Sequence, residues 1–241
     1  MTLLLHCGGI HASINDLREV PLPLETDTYK PVSHYALAHN LAELSDAMLS
    51  GFSLSDSRFG LARDGKQMFG VHTFRNSSDQ MGLSIGFRNS YDKSMSVGIA
   101  IGATVFVCDN LALTGEVTVM RKHTLNVWDD LETMALKTIF GSRGNFNCIQ
   151  QDASVLSSHD ITDDEAYRLI GFLYGHGVLS PRQLPIAKKE WHQPSYDDFS
   201  ARNAWSFYNA CTEALKSSPP RSIMEKHIQL HQMMMKGVRY E

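Results

Sequence analysis

Seven apolar residues recur at every second position from Met95 to Val107: Met95, Val97, Ile99, Ile101, Ala103, Val105 and Val107. Side chains of an extended strand alternate between its two faces, so this run reads as one long strand with an apolar side. Gly98 and Gly102 fall on the opposite side, where a missing side chain permits a bulge or a close backbone approach. Shorter alternations flank it: Met81 to Phe87 before, and Leu111, Leu113, Val117 and Val119 after, with Gly115 interrupting and Asp109-Asn110 as a two-residue turn between the last two runs. Upstream, Arg58 to Arg63 and Lys66 to Phe74 flank Asp64-Gly65, a pair that tolerates the positive φ angles of a type I′ hairpin turn. The pattern predicts an α+β fold. Its centre is an antiparallel β-hairpin sheet of about five strands over residues 52–121, with one face covered by helices.

The rest of the pattern is helical. Ser33 is placed to cap a helix ending near Ser50, with Leu37, Leu41, Leu44 and Met48 on one stripe and Gly51 as its stop. A second helix is expected from Asn126 to about Phe140, ended by Gly141. Thr162 and Glu165 have the spacing of a capping box for a helix to about Tyr174. Ser180-Pro181 reads as the start of a short helix, and Lys188 to Phe199 as an irregular connection. Ala201 to Lys216 presents Trp205, Tyr208, Thr212 and Leu215 on one face, and Ser222 is placed to cap a last helix to about Lys236. Residues 122–241 thus form a mainly helical region expected to pack on the sheet. With 241 residues in all, the expectation is a single domain.

Several function classes lose support. The formal net charge is −4, so there is no global attraction for nucleic acid; Arg121-Lys122-His123 and Lys188-Lys189 read as short solvated basic faces. Cys7, Cys108, Cys148 and Cys211 are scattered without a C-x-x-C pair, which suits a reducing cytoplasm and offers no zinc ribbon. No run approaches the roughly 18 apolar residues of a membrane span. His227 and His231 are four apart on a predicted helix but lack the H-E-x-x-H pattern. No phosphate-binding glycine loop, nucleophile elbow or dinucleotide fingerprint occurs, so neither metal nor cofactor is expected.

The chemistry concentrates in two polar stretches. Arg88, Asn89, Ser90, Tyr91, Asp92 and Lys93 follow the strand ending at Phe87, and Cys108, Asp109 and Asn110 follow the strand ending at Val107. Asn, Ser and Asp are turn formers whose side chains bond nearby amides, so Asn89 and Asp92 are expected to tie down the loop backbone. Were Met95 to Val107 one straight strand, it would measure about 40 Å and hold the two stretches apart.

Together these stretches resemble a family found in phages, prophages and plasmids, catalogued as domain of unknown function nine-three-two. Its pattern is an apolar strand, Asn-Ser-His/Tyr-Asp, then a strand ending in Val-Cys-x-Asn. Asn203-Ala-Trp-Ser-Phe-Tyr-Asn-Ala-Cys-Thr-Glu-Ala-Leu-Lys216 is similar to a late helix of that family, and the resemblance covers about Gly82 to Lys216. Tyr91 stands where histidine is common, and a tyrosine does not titrate near neutrality. The resemblance implies an accessory protein of a mobile element and names no activity. Three readings stand. The first is a role in DNA metabolism through single-stranded DNA or a DNA-bound partner, with Arg88, Arg121 and Lys122 meeting phosphates. The second is an enzyme using Asn89, Ser90 and Asp92 with Cys108 or Asp109. The third is a protein-binding module, homo-oligomeric in one version, acting on host machinery.

Overall fold

The computed structural model describes residues 9–76, 81–105, 110–124 and 126–239. Six strands, β1 (Ile10–Ala12), β2 (Ser53–Ala62), β3 (Gln67–Arg75), β4 (Met81–Ser90), β5 (Val97–Val105) and β6 (Asn110–Arg121), form one sheet in sequence order, each antiparallel to its neighbour. Helices α1 (Ile14–Glu19) and α2 (His34–Met48) precede β2, and α3 (Val127–Ser157), α4 (Asp163–Gly175), α5 (Leu184–His192), α6 (Ala204–Leu215) and α7 (Pro220–Arg239) follow β6. The fold is α+β, as the pattern of alternation predicts. The strand beyond the expected five is β1, three residues on the sheet edge, too short for periodicity to register.

The β2–β3 turn keeps Asp64 and Gly65 as its central pair, both at positive φ, with the Lys66 amide donating to the Arg63 carbonyl at 3.1 Å. The last register pair is Ala62 with Gln67, so the loop has four residues, Arg63 to Lys66, rather than two. At the other end of the sheet, Asn110 pairs with Val105. It therefore begins β6 instead of occupying a turn; residues 106–109 lie outside the described part.

Alternation in β5 places Val97, Ile99, Ile101 and Ala103 in one core with Leu37 and Leu41 of α2 and Leu131, Ala135 and Ile139 of α3. The opposite face is also covered, which the single-sided expectation missed. Phe69, Val71, Ala100, Leu111 and Leu113 pack there against Ile223 and Met224 of α7. That second apolar face is hard to see in the sequence because glycines dilute it. Gly102 explains the interruption it was expected to permit: the β5–β6 register shifts between Ala100 and Gly102, and a Cβ at Gly102 would come within 2.2 Å of the Ala112 carbonyl oxygen.

Ser33 caps α2 by accepting from the Ala36 amide, and Thr162 and Glu165 form the expected capping box on α4. Such a cap stabilises a helix by about 1 kcal/mol. Three helix boundaries differ from expectation. Gly141 does not end α3, because the apolar stripe continues through Phe146, Ile149, Ala153 and Leu156, all buried. Burial of these side chains, about 1.5–3 kcal/mol each for the large ones, outweighs the roughly 1 kcal/mol that glycine costs a helix. Ser180 closes a turn through Gln183, and the helix that follows is α5, which takes Lys188 to His192 from the stretch read as irregular. Finally, α7 starts at Pro220, with the Pro219 carbonyl accepting from the amides of Ser222 and Ile223; proline suits a first helical position because its missing N–H would have no partner there.

Candidate functional site

Strand pleating divides the polar stretch that the sequence presents as one site. Arg88 and Asn89 are adjacent in β4 and so point to opposite faces. Arg88 turns toward α7, where Nη1 donates to Glu225 Oε2 at 2.6 Å and to the Arg221 carbonyl at 2.8 Å. Its residue is only 6% exposed, which takes the guanidinium away from any polyanion at the surface.

Asn89 turns to the other side, into a buried network. Its Nδ2 donates to the Val32 carbonyl at 2.5 Å and to His34 Nδ1 at 2.9 Å, and its Oδ1 faces His123 Nε2 at 2.8 Å. A carbonyl can only accept, so the Val32 contact orients the amide. His123 must then carry its proton on Nε2 and His34 must present a bare Nδ1. The remaining His34 nitrogen, Nε2, donates to the Gly65 carbonyl at 3.0 Å. Tyr91 stacks on the His34 ring at 3.8 Å between centroids and accepts from the His34 amide through its hydroxyl. Burial pushes His34 down to about 4, with the His123 charge acting in the same direction against the Gly65 bond. Burial also lowers His123 and raises Tyr91. The network is therefore neutral at pH 7. It joins residues 32–34, the β2–β3 turn, β4 and the segment after β6. Asn89 binds these distant groups and not, as expected, the loop's own amides.

Ser90 and Asp92 do hold the loop. Ser90 Oγ donates to the Met95 carbonyl at 2.9 Å and accepts from its amide. Asp92 Oδ1 accepts from the Ser94 amide and Oδ2 from Gln67 Nε2, each at 3.0 Å. Burial pushes the Asp92 carboxyl up, but the Ser94 and Gln67 hydrogen bonds and the Arg63 charge outweigh it and leave the group below the ordinary carboxylate range. Because Asp92 is only half-buried, Asp92→Ala should lower stability by about 1 kcal/mol, the net value of exposed-edge hydrogen bonds. An unchanged urea midpoint would show that the loop holds itself without this side chain.

The second polar stretch does not join the first. Asn110 lies beside Val105, whereas the Asp92 loop adjoins the Arg88–Gly98 pair at the other end of the same ladder. The intervening strand measures about 24 Å. Asn110 instead bonds α6, its Nδ2 donating to the Asn209 side-chain oxygen at 3.0 Å. Cys108 and Asp109 lie outside the described residues. So does the Arg121 side chain; Lys122 is exposed, and its neighbour His123 is buried rather than part of a solvated basic face. In α6, Tyr208, Asn209 and Thr212 are buried as core packing.

His227 and His231 share α7 but not an environment. His227 is buried beside Leu111, while His231 Nε2 meets Asp152 of α3 at 3.1 Å. Among the described residues, no three His, Cys, Asp or Glu side chains gather in a way that could hold a metal. Cys211 is buried and its thiol is pushed up by burial, whereas Cys148 is exposed. No helix among the described residues is long and apolar enough to cross a membrane.

The concave feature that sequence reasoning missed lies elsewhere. Helices α2 and α3 and strand β5 together line a groove of about 420 Å³. Ile99, Leu37, Leu41 and Leu131 make its apolar base, with Leu44 and Trp128 higher on its walls. Glu43 on one side and Asp129 and Glu132 on the other supply carboxylates, and among the described residues no lysine or arginine lines it. Acidic residues in the first turn of α3 suit the positive end of the helix dipole, which accounts for Asp129. Glu43 and Glu132 have no such local reason, although Glu43 lies 3.4 Å from His39 on the same helix. The sequence signal was present: each helix flanks its apolar stripe with acidic residues, but only the packing shows that the two flanks face one gap.

The family model described as Domain of unknown function (DUF932) matches residues 21–234. The chain belongs to this family. No curated protein matches it, and no solved structure does. The DUF932 match begins well before Gly82, where the sequence resemblance started. It therefore takes in His34 and α2, and with them both the buried network and the groove.

Proposed function

We propose that this DUF932 chain is a partner-binding module, and that its working surface is the groove between α2 and α3. Its partner is a protein segment that carries lysine or arginine around apolar side chains. The observation behind this reading is the pairing of an apolar base with carboxylates on both sides. Apolar burial supplies affinity, and the carboxylates select a cationic partner and repel phosphates. The accessory role implied by the resemblance to phage and plasmid proteins suits such an adaptor, acting on host machinery or on a DNA-bound protein with a basic segment.

The other readings draw less support. Direct contact with single-stranded DNA was expected to use Arg88, which is turned inward onto Glu225. The enzyme reading needs Asn89 and Ser90 free to meet a substrate, and both are fully buried with their side chains hydrogen-bonded inside the protein. A fluorescence-anisotropy titration with a labelled leucine-lysine peptide tests the proposal. Saturable binding at micromolar protein and low salt is expected, weakening as salt rises. The double variant Asp129→Lys, Glu132→Lys should weaken it by about tenfold or more, since close opposite charges give way to like ones. A labelled single-stranded oligonucleotide is the companion probe. Saturation by the oligonucleotide, with none by the peptide, would overturn the proposal in favour of nucleic acid.

A further inference from the structure

We infer that the segment received by this groove is an α-helix, lying along α2 and α3 as a third helix; the inference rests on the partner-binding reading above. The walls decide it. Both sides of the groove are helices, whose backbone N–H and C=O groups are bonded within themselves apart from the first-turn amides of α3 near Trp128 and Asp129. The base is Ile99 in β5, paired on one side with Phe87 and on the other with Val119. The groove therefore offers an incoming chain no open strand edge. An extended peptide would bury unpaired amides and carbonyls there, a cost of about 1–3 kcal/mol for each group. A helix brings its backbone bonds with it and presents only side chains.

The dimensions agree. The lining runs from Leu37 to Ala47 along α2, about 15 Å at the helical rise, which is the length of roughly three turns. A volume of about 420 Å³ holds roughly three or four leucine-sized side chains at interior packing density. Three turns of helix deliver that number at positions i, i+4 and i+7. The carboxylates set the flanks. With Glu43 on the α2 side and Asp129 and Glu132 on the α3 side, the partner helix carries lysine or arginine on both borders of its apolar stripe.

The test compares labelled peptides of identical composition on the full chain. One places leucine at i, i+4 and i+7 with lysine on the flanks, one alternates leucine and lysine with period two, and one keeps the helical spacing with a central residue exchanged for proline, matched in the other two by a terminal proline. The helically spaced peptide should bind at least tenfold more tightly than either of the others, and its circular dichroism should gain helix on binding. Ala47→Trp, at an exposed position lining the groove, should abolish that binding while the thermal transition is retained. Equal affinity for the alternating peptide would overturn the helix inference and leave the partner-binding reading intact. Failure of all three peptides to saturate would overturn both, and binding unaffected by Ala47→Trp would place the helix at some other surface.

Discussion

Asn89→Ala should lower the stability of the chain by about 3–5 kcal/mol, since each buried group that loses its only partner forfeits about 1–3 kcal/mol. Three groups lose theirs at once: the Val32 carbonyl, His34 Nδ1 and the His123 Nε2 proton. Asn89 is fully buried, so water can replace the amide only by opening the structure. Asn89→Leu fills the volume and should do no better, because the missing quantity is hydrogen bonding and not packing. Urea unfolding followed by far-ultraviolet circular dichroism measures the change directly. A loss below about 1 kcal/mol would mean that the network is satisfied without Asn89. The contrast with Asp92→Ala is itself informative, because the two residues look equivalent in the sequence and differ in burial.

Acid should unfold this protein cooperatively before pH 4. His34, His72 and His227 are each pushed down by burial to about 4. In His72 burial outweighs the Nε2 bond to the Ala38 carbonyl at 2.8 Å, which favours the charged ring, while Nδ1 lies 2.8 Å from Ser57 Oγ. In the unfolded chain each histidine titrates near about 6.5. The folded state resists protonation, so the unfolded state binds more protons as pH falls through this window. The stability held by neutral histidines is complete above the unfolded value and is lost progressively down to about 4. Each group contributes a slope of about 1.4 kcal/mol per pH unit, so the three together give roughly 4 kcal/mol per unit. Across the window this comes to about 10 kcal/mol, a loss comparable with the whole stability of about 5–15 kcal/mol that a domain has. Tm measured from pH 7.5 to 4 should therefore fall steeply below about 6.5, and His72→Gln should flatten the fall. A Tm constant down to pH 4.5 would contradict the neutral, buried state of these rings.

Much of the fold was legible in order. The alternation of β5, the Asp64-Gly65 turn and the caps at Ser33 and Thr162 are local devices, each set by residues within a few positions of one another, and local sequence is sufficient to read them. Where prediction failed, the deciding contact was distant. Gly141 looks like a stop until the buried stripe from Phe146 to Leu156 is known to have a surface to pack on. The face of the sheet under α7 looks empty because Gly86, Gly98 and Gly102 carry no apolar side chain, while Ile223 and Met224 arrive from far along the chain.

The candidate site shows the same division more sharply. The sequence by itself determined that polar groups concentrate at Arg88 to Asp92 and that no common catalytic or metal motif is present; that β4 runs on past Phe87 to Ser90, so that Arg88 and Asn89 face opposite ways, came from the structure. Only the tertiary structure decided what each side holds: α7 and Glu225 for Arg88, and His34 and His123 for Asn89. It also brought the acidic flanks of α2 and α3 to one groove. The physical reason is that a strand or helix specifies the direction of its side chains through local geometry, whereas the partner in that direction is supplied by long-range packing, which no short stretch of sequence encodes.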